Sequence, residues 1–125
     1  MIQERRRRIW DTYAHELGGW AAAHGIRLPV IPDHCQQAYH MFYLLLPDLE
    51  ARQRLISNLK AQGILSVFHY LPLHLSEMGR RLGGVEGACP VTEAVSDRLL
   101  RLPFYTGLGN DDQQRVIEAV LAFRP

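Results

Sequence analysis

The most strongly patterned stretch of this chain is residues 40–62, which have the sequence HMFYLLLPDLEARQRLISNLKAQ. Residues 40–46 are almost entirely apolar, and this predicts a strand that is buried on both faces. Pro47 ends the strand, and Asp48 is expected to be the N-cap of a helix that continues to about Gln62. The apolar stripe of that helix consists of Ala51, Leu55, Ile56 and Leu59.

A long helix is predicted at the start of the chain, over residues 2–24. Its apolar residues recur at helical spacing, and Gly25 is expected to end it. Residues 27–38 contain two prolines, which predict an extended connection to the next strand. The apolar face of the helix is formed by Ile2, Ile9, Tyr13, Leu17 and Trp20.

Two more strands are predicted in the second half of the chain. Residues 64–70 are rich in β-formers and are followed by Pro72, so they should form the second strand. Residues 102–104 are expected to form a short third strand. Pro103 would confine that strand to an edge of the sheet, because proline cannot donate a ladder hydrogen bond.

Three further helices are predicted between and after these strands. Residues 75–82 are expected to form a short helix, and Gly83, Gly84 and Gly87 a flexible loop after it. Thr92 is expected to cap a helix that continues to about Leu100. Asn110 should cap the last helix, where Gln113 would complete a capping box.

The order of these elements predicts an α+β fold, in which a small three-stranded sheet is covered on one side by helices. The length of 125 residues is typical of a single domain. Within it, residues 1–25 would form the long helix and residues 26–125 the small α+β domain.

Composition excludes several classes of function. The chain is 47% hydrophobic and carries 14 basic against 13 acidic residues, so it has no electrostatic drive toward nucleic acid or an anionic membrane. The longest apolar run, residues 41–47, is far shorter than the roughly 20 residues of a membrane-spanning helix.

The cysteines and the N-terminus indicate the compartment. Cys35 and Cys89 form no disulfide pattern, and Asp11, His15 and Glu16 interrupt what would be the apolar region of a signal peptide. A cytoplasmic protein with reduced thiols is therefore expected.

Two clusters suggest chemistry that their spacing does not support. The four arginines of residues 5–8 would wrap the whole circumference of a helix, which favours a solvated or interface role over a nucleic-acid patch. His34, Cys35 and His40 lack the two closely spaced pairs that zinc sites use. No metal site is predicted.

His69, Tyr70 and His74 form the most distinctive polar cluster. They lie where a predicted strand ends, and strand ends that lead into loops often carry ligand-contacting groups. Histidine also titrates near neutral pH. Composition alone leaves two interpretations open: these residues contact a ligand, or they cover an edge of the sheet.

Two segments resemble a known family. They are residues 64–76, ILSVFHYLPLHLS, and residues 89–108, CPVTEAVSDRLLRLPFYTGL. Both resemble the C-terminal small domain of the DegT/DnrJ/EryC1/StrS family of pyridoxal-phosphate-dependent sugar-nucleotide aminotransferases. The helix that contains residues 5–8 resembles the one that links the two domains in this family. The resemblance implies the fold of the C-terminal domain of fold type I pyridoxal-phosphate-dependent transferases.

The resemblance also implies an activity, namely the transfer of an amino group from glutamate to a dTDP-4-keto-6-deoxyhexose. In such enzymes a lysine holds pyridoxal phosphate as a Schiff base, and an acidic residue pairs with its pyridine nitrogen. These groups belong to the large domain, which this chain lacks. Lys60, the only lysine, matches no cofactor-binding motif and is expected to face water, so no catalytic residue and no bound cofactor are expected in this chain alone.

The site residues that the resemblance implies are His69, Tyr70 and His74, which match a strand-end motif near the family's active-site cleft and would bind the nucleotide-sugar substrate. The chain would then be inactive by itself and need a large domain as its partner. The alternative is a stand-alone binding or assembly domain without catalysis. If Trp10, Tyr13 and Trp20 are left uncovered on the N-terminal helix, the resulting apolar patch predicts self-association, most simply as a homodimer.

Overall fold

Five α-helices and three short strands make up the fold. The structure is a computed structural model that describes residues 1–125. A 3-10 turn, Leu73–Leu75, lies between the second strand and the third helix. The helices are α1 (Ile2–Ala23), α2 (Leu49–Ala61), α3 (Glu77–Arg81), α4 (Pro90–Arg98) and α5 (Asn110–Leu121), and the strands are β1 (Tyr43–Leu45), β2 (Val67–Phe68) and β3 (Leu99–Arg101).

The sheet has the strand order β1-β3-β2, and both pairings are antiparallel. Leu100 at the centre of β3 pairs with Leu44 on one side and Phe68 on the other. Leu44 and Leu100 are fully buried beneath the helices. The predicted α+β fold, a small three-stranded sheet covered by helices, is confirmed.

The predicted position of the third strand is wrong. Residues 102–104 lie just beyond β3, and Leu99 and Leu100, which were assigned to the end of a helix, form a central strand instead. Helix α4 ends at Arg98, where the carbonyl oxygen accepts a hydrogen bond from the Leu46 amide at 3.0 Å. Backbone pairing on both sides of β3 therefore outweighs the helical pattern, and Pro103 lies outside the strand.

The first two strands are shorter than predicted, since residues 40–46 and 64–70 contribute only three and two residues to the sheet. Tyr39 has a positive φ of 46°, so the chain turns before it reaches β1. Arg6 stabilises this turn by donating hydrogen bonds to the carbonyl oxygens of Tyr39 and His40, at 2.6 and 2.7 Å.

The glycine that was predicted to end α1 does so, whereas two of the three predicted N-caps are wrong. Gly25 has a φ of 66°, and the Ile26 amide bonds to the Ala21 carbonyl at 2.9 Å, as in a Schellman motif. Asp48 is the N-cap of α2, as predicted, and its side chain accepts a hydrogen bond from the Ala51 amide at 2.8 Å. The other two predicted N-caps are wrong: α4 begins at Pro90, before Thr92, and Gly109 rather than Asn110 is the N-cap of α5. No capping box forms there, because the Gln113 side chain is buried and donates to the Ile9 carbonyl at 2.8 Å.

The core lies between the sheet, α2 and the packed pair α1 and α5. Tyr13 is fully buried and donates to the Pro103 carbonyl at 3.0 Å, and the Trp20 indole donates to the Phe123 carbonyl at 3.1 Å. The predicted apolar patch on α1 is therefore wrong, because the chain's own C-terminal segment and sheet cover these aromatic side chains. Trp10 is half-buried against Phe42, and Ile2 is exposed.

Two further observations concern the classes of function considered above. None of the helices combines the length and the apolar character needed to cross a membrane. The His, Cys, Asp and Glu side chains form no group of three that could hold a metal ion.

Candidate functional site

A groove of about 590 Å³ lies between the segment that follows β2 and helix α4. Its first wall consists of residues 69–74, and its second wall includes Cys89, Val91, Val95 and Ser96. The lining is largely apolar, with a few polar groups, as is typical of small-molecule sites. All three residues predicted to form a site, His69, Tyr70 and His74, lie in the same wall of this groove.

His69 is the first residue after β2, and its ring packs edge-on against Tyr70 with 5.1 Å between the ring centroids. Its Nδ1 atom is buried and has no hydrogen-bond partner in the chain. Burial lowers the pKa of His69, and the positive charges of Arg101 and His40 lower it further. A neutral imidazole can donate or accept one hydrogen bond at each nitrogen, so His69 has a free hydrogen-bonding position.

Tyr70 is the most open of the three residues, with 73% of its surface exposed. The Arg101 guanidinium lies over its ring, 5.6 Å from the centroid. The Tyr70 carbonyl accepts a hydrogen bond from the Ser96 hydroxyl at 3.1 Å, which joins the two walls of the groove. The backbone of Tyr70 is thereby held, while its phenol ring remains available to a ligand.

His74 is held in place by Glu93, with 2.7 Å between His74 Nε2 and Glu93 Oε1. The Glu93 carboxylate also accepts hydrogen bonds from the backbone amides of Gly87, at 3.0 Å, and Cys89, at 3.2 Å. The hydrogen bond from His74, followed by that from Gly87, lowers the pKa of Glu93. One carboxylate thus joins the 3-10 turn, the glycine loop and the start of α4.

Helix α3 and the glycine loop that follows it, residues 83–87, pack closely on the 3-10 turn. A Cβ atom on Gly79 would lie 2.0 Å from the Leu73 carbonyl oxygen, and one on Gly84 would lie 2.1 Å from the His74 carbonyl oxygen. No side chain fits at either position. The sequence had indicated a flexible loop here, but its signal, closely spaced glycines, also marks close backbone approach.

Glu93 is the residue that sequence reasoning missed. Its position near the start of a predicted helix suggested only a favourable interaction with the helix dipole. Nothing local in the sequence indicates His74 as its partner, because the two residues are 19 positions apart.

A second groove, of about 610 Å³, adjoins the first and shares Val95 and Leu99 with it. Nine of its twelve lining residues are hydrophobic, and they come from the end of α1, residues 26–30 and β1. This groove has no cluster of polar groups. It is therefore a candidate contact surface rather than a chemical site.

Comparison with known proteins assigns the family. Residues 1–121 match the model of the DegT/DnrJ/EryC1/StrS aminotransferase family. The dTDP-3-amino-3,4,6-trideoxy-alpha-D-glucose transaminase of Micromonospora megalomicea is 33% identical over 92% of this chain and 30% of its own length. The pleiotropic regulatory protein of Geobacillus stearothermophilus is 35% identical over 96% of this chain and 32% of its own length.

Solved structures give the same assignment. The crystal structure of DesV from Streptomyces venezuelae, in complex with a ketimine intermediate, superposes with a TM-score of 0.85 at 32% identity, over 95% of this chain and 31% of that one. The aminotransferase TlmJ from Streptoalloteichus hindustanus superposes with a TM-score of 0.82 at 29% identity, over 96% of this chain and 31% of that one. The chain spans about a third of the length of these relatives. From its sequence and its fold, it belongs to the DegT/DnrJ/EryC1/StrS aminotransferase family.

Proposed function

We propose that this chain is the substrate-binding small domain of a pyridoxal-phosphate-dependent sugar-nucleotide aminotransferase, and that it is inactive by itself. The observation that carries the proposal is the groove in which His69, Tyr70 and His74 lie together, on a chain of this family. The reaction would transfer an amino group from glutamate to a dTDP-4-keto-6-deoxyhexose. The proposed product is dTDP-4-amino-4,6-dideoxygalactose, a building block of cell-surface polysaccharide.

The residues of this chain do not fit the cofactor. Pyridoxal phosphate supplies the electron sink for amino transfer and needs a lysine amine for its Schiff base. Lys60 is exposed in the last turn of α2, as predicted, and lines neither groove. The amine that holds the cofactor would therefore come from the larger part of the enzyme. The role of this chain would be to bind and orient the sugar nucleotide.

The three groove residues would divide this role. The imidazole of His69, which lines the groove, would form a hydrogen bond with the sugar or its nucleotide, and the exposed ring of Tyr70 would pack against it. His74 would hold the shape of the wall through Glu93 while its ring faces the groove. Each role needs only a hydrogen bond or a packing contact, and none requires covalent chemistry in this chain.

The partner proposed for this chain is the rest of an aminotransferase, with self-association into a homo-oligomer as the alternative. Apolar side chains are exposed along residues 65–91, and Leu73 and Leu82 are exposed by 85% and 80%. An exposed apolar surface of this kind is typical of an interaction site. The cytoplasm, where nucleotide sugars are made, is the proposed location.

A chimera tests the proposal. This chain would replace the matched segment, 28% of the length, of the dTDP-3-amino-3,4,6-trideoxy-alpha-D-glucose transaminase of Streptomyces venezuelae. We expect the chimera to bind pyridoxal phosphate and aminate a dTDP-ketosugar. His69→Ala in the chimera should raise KM or lower kcat by about tenfold, the cost of one ligand hydrogen bond.

His15→Ala is the matched control, because His15 is exposed on α1 and its only side-chain contact is with the neighbouring Glu16. It should leave both kinetic constants unchanged. A chimera that shows cofactor absorbance but has the same kinetics with and without His69 would contradict the role of the groove. Visible absorbance from pyridoxal phosphate bound to this chain alone would contradict the claim that the lysine lies elsewhere.

A stand-alone binding or assembly domain is the second candidate. The observation that favours it is the complete core of 21 buried residues within a chain that spans about a third of its relatives. A neighbouring reading frame that encodes the larger part of the enzyme would favour the first candidate, and its absence would favour the second.

A further inference from the structure

We propose that Arg101 is the residue that binds the diphosphate of a nucleotide sugar, at the rim of the groove lined by His69 and Tyr70. This inference rests on the proposed function and deepens it, because it assigns the phosphate-binding group. Arg101 is not among the residues that the sequence analysis selected.

The backbone holds Arg101 rigidly. It is the last residue of β3, the central strand, and pairs with Tyr43 of β1 on one side and Val67 of β2 on the other. Its guanidinium lies over the ring of Tyr70, which is part of the groove wall. Stacking on an aromatic ring restricts the orientation of an arginine side chain while leaving its N–H groups at the ring edge free to bind a ligand.

The charge of Arg101 is not balanced within the chain. None of the six ion pairs of the structure includes this residue, and its Nε atom is buried without a hydrogen-bond partner. Buried polar groups almost always have a partner, and an unpaired one costs free energy. The Nη groups of Arg101 form no hydrogen bond within the chain either, and they are not buried like Nε, so they are free to bind an acceptor from outside the chain.

A second unpartnered atom belongs to the groove wall that Arg101 covers at Tyr70. The Nδ1 atom of His69 is also buried without a partner, and the ring of His69 packs against Tyr70, the residue that Arg101 covers. Arg52 adds a further positive charge, because its guanidinium lies over Phe68 at 5.4 Å from the ring centroid. Residues 68–70 are thus flanked by two guanidinium groups. Of the carboxylates nearby, Asp97 interacts with Arg52, and Glu93 is already occupied by His74 and the loop amides.

Phosphate fits this arrangement better than a single neutral acceptor. The planar fork of an arginine matches phosphate oxygens, and such charge-assisted hydrogen bonds are about twice as strong as neutral ones. A diphosphate offers several oxygens, so it can reach both Arg101 and a second donor. The sugar attached to it would then extend along the groove past Tyr70.

Titration of the isotopically labelled chain with dTDP, followed by NMR, tests the inference. We expect shifts of the backbone amides of residues 69–74 and 99–101. Arg101→Gln should weaken dTDP binding about tenfold and make it less sensitive to salt, because one charge-assisted contact is lost. Arg101→Lys keeps the positive charge but loses the planar guanidinium, so its dTDP affinity should lie between those of the wild type and Arg101→Gln.

Lys60→Gln is the matched control, since it removes one positive charge from an exposed residue outside the groove. It should leave dTDP affinity within about twofold of the wild-type value. Thymidine, which has no phosphate, should bind equally to the wild type and to Arg101→Gln. Competition of glutamate and of pyrophosphate with dTDP then shows whether the site binds a carboxylate or a phosphate.

The outcomes separate the inference from the proposed function. If dTDP shifts the groove amides and Arg101→Gln binds dTDP as tightly as the wild type while retaining a folded spectrum, Arg101 is not the phosphate ligand, although the groove still binds nucleotide. Competition by glutamate but not by pyrophosphate would also overturn the inference. If dTDP shifts no groove amide in the wild type, the proposed nucleotide-sugar role fails as well.

Discussion

The residues packed between α1, α5 and the sheet differ from residues 67–98 in the interactions that hold them. In the first region apolar burial dominates, and Tyr13, Phe42 and Leu44 are completely removed from solvent. In the second region Pro72 is the only buried residue. That region is held instead by polar contacts, chiefly the hydrogen bonds of Glu93 and the bond between Ser96 and Tyr70.

This difference separates a region that is complete by itself from one that is not. The first region provides a closed core, so its apolar side chains are buried without any contact to a partner. The second leaves Leu71, Leu73 and Val91 exposed to solvent beside the candidate site. Clustered exposed apolar side chains of this kind are typical of an interaction site. We therefore interpret the first region as the scaffold. Under the proposed function, the second would be the surface that contacts substrate and the rest of the enzyme.

The largest expected effect comes from the centre of the scaffold. Leu100→Ala should lower the free energy of unfolding by about 2–5 kcal/mol, because Leu100 is fully buried between Leu44 and Phe68. Leu71→Ala, which truncates a leucine exposed by 69%, should change it by no more than about 0.5 kcal/mol. Urea denaturation of the two variants measures both values. Similar losses would contradict the division into two regions.

A smaller effect is expected where helix α3 packs on the 3-10 turn. Gly79→Ala should cost about 1–3 kcal/mol and shift the NMR signals of residues 73–74, because its Cβ atom would overlap the Leu73 carbonyl.

Gly18→Ala is the matched substitution in α1. No atom lies within 4 Å of the Cβ atom that it would add, so it should stabilise the protein by about 0.5–1 kcal/mol through helix propensity. If both alanines stabilised the protein, the close packing of α3 on the 3-10 turn would be disproved.

The smallest effect concerns pH. The pKa of Glu93 is lowered in the folded chain from a starting value of 4.5, mainly by the hydrogen bond from His74. A lowered carboxylate pKa means that the unfolded state binds more protons in acid, so its contribution to stability is present above pH 4.5 and is lost as the pH falls through the folded pKa. Glu93→Gln should therefore be less stable than the wild type at pH 7, and the difference should shrink below pH 4.5.

Denaturation curves of both proteins between pH 3 and pH 7 measure this difference. A double-mutant cycle with His74→Ala gives the part of the change in the free energy of unfolding that comes from the interaction between Glu93 and His74. A constant difference across the whole range would show that the carboxylate of Glu93 does not need its charge to hold the loop.

Prediction from sequence worked where a local pattern carries the information. The four longer helices were found, together with the exposure of Lys60 and the end of α1 at Gly25. The segment that contains His69, Tyr70 and His74 could be selected because its residue types and its position before Pro72 are both local features. The structure places the three residues in one groove wall, and their binding role stays a prediction. The family resemblance depended on the same contiguous segments, and the match over residues 1–121 confirms it.

Prediction failed where one segment competes with another that is distant in sequence. Leu99 and Leu100 suit a helix end or a strand, and β1 decided between them by pairing with them from more than 50 positions away. Gln113 suits a capping box, but its side chain bonds instead to the Ile9 carbonyl of α1, 104 positions away. Tyr13 and Trp20 seemed exposed only because the segment that covers them is at the other end of the chain.

The sequence by itself determined the periodicity of the helices, their glycine ends, the balance of charge and the residue types at the candidate site. Only the tertiary structure decided which strand is central, which side chains are buried and that Arg101 lies beside Tyr70. The physical reason is that helical spacing and turn chemistry act over a few residues. Strand pairing, burial and uncompensated charge depend on which distant segments the folded chain brings into contact.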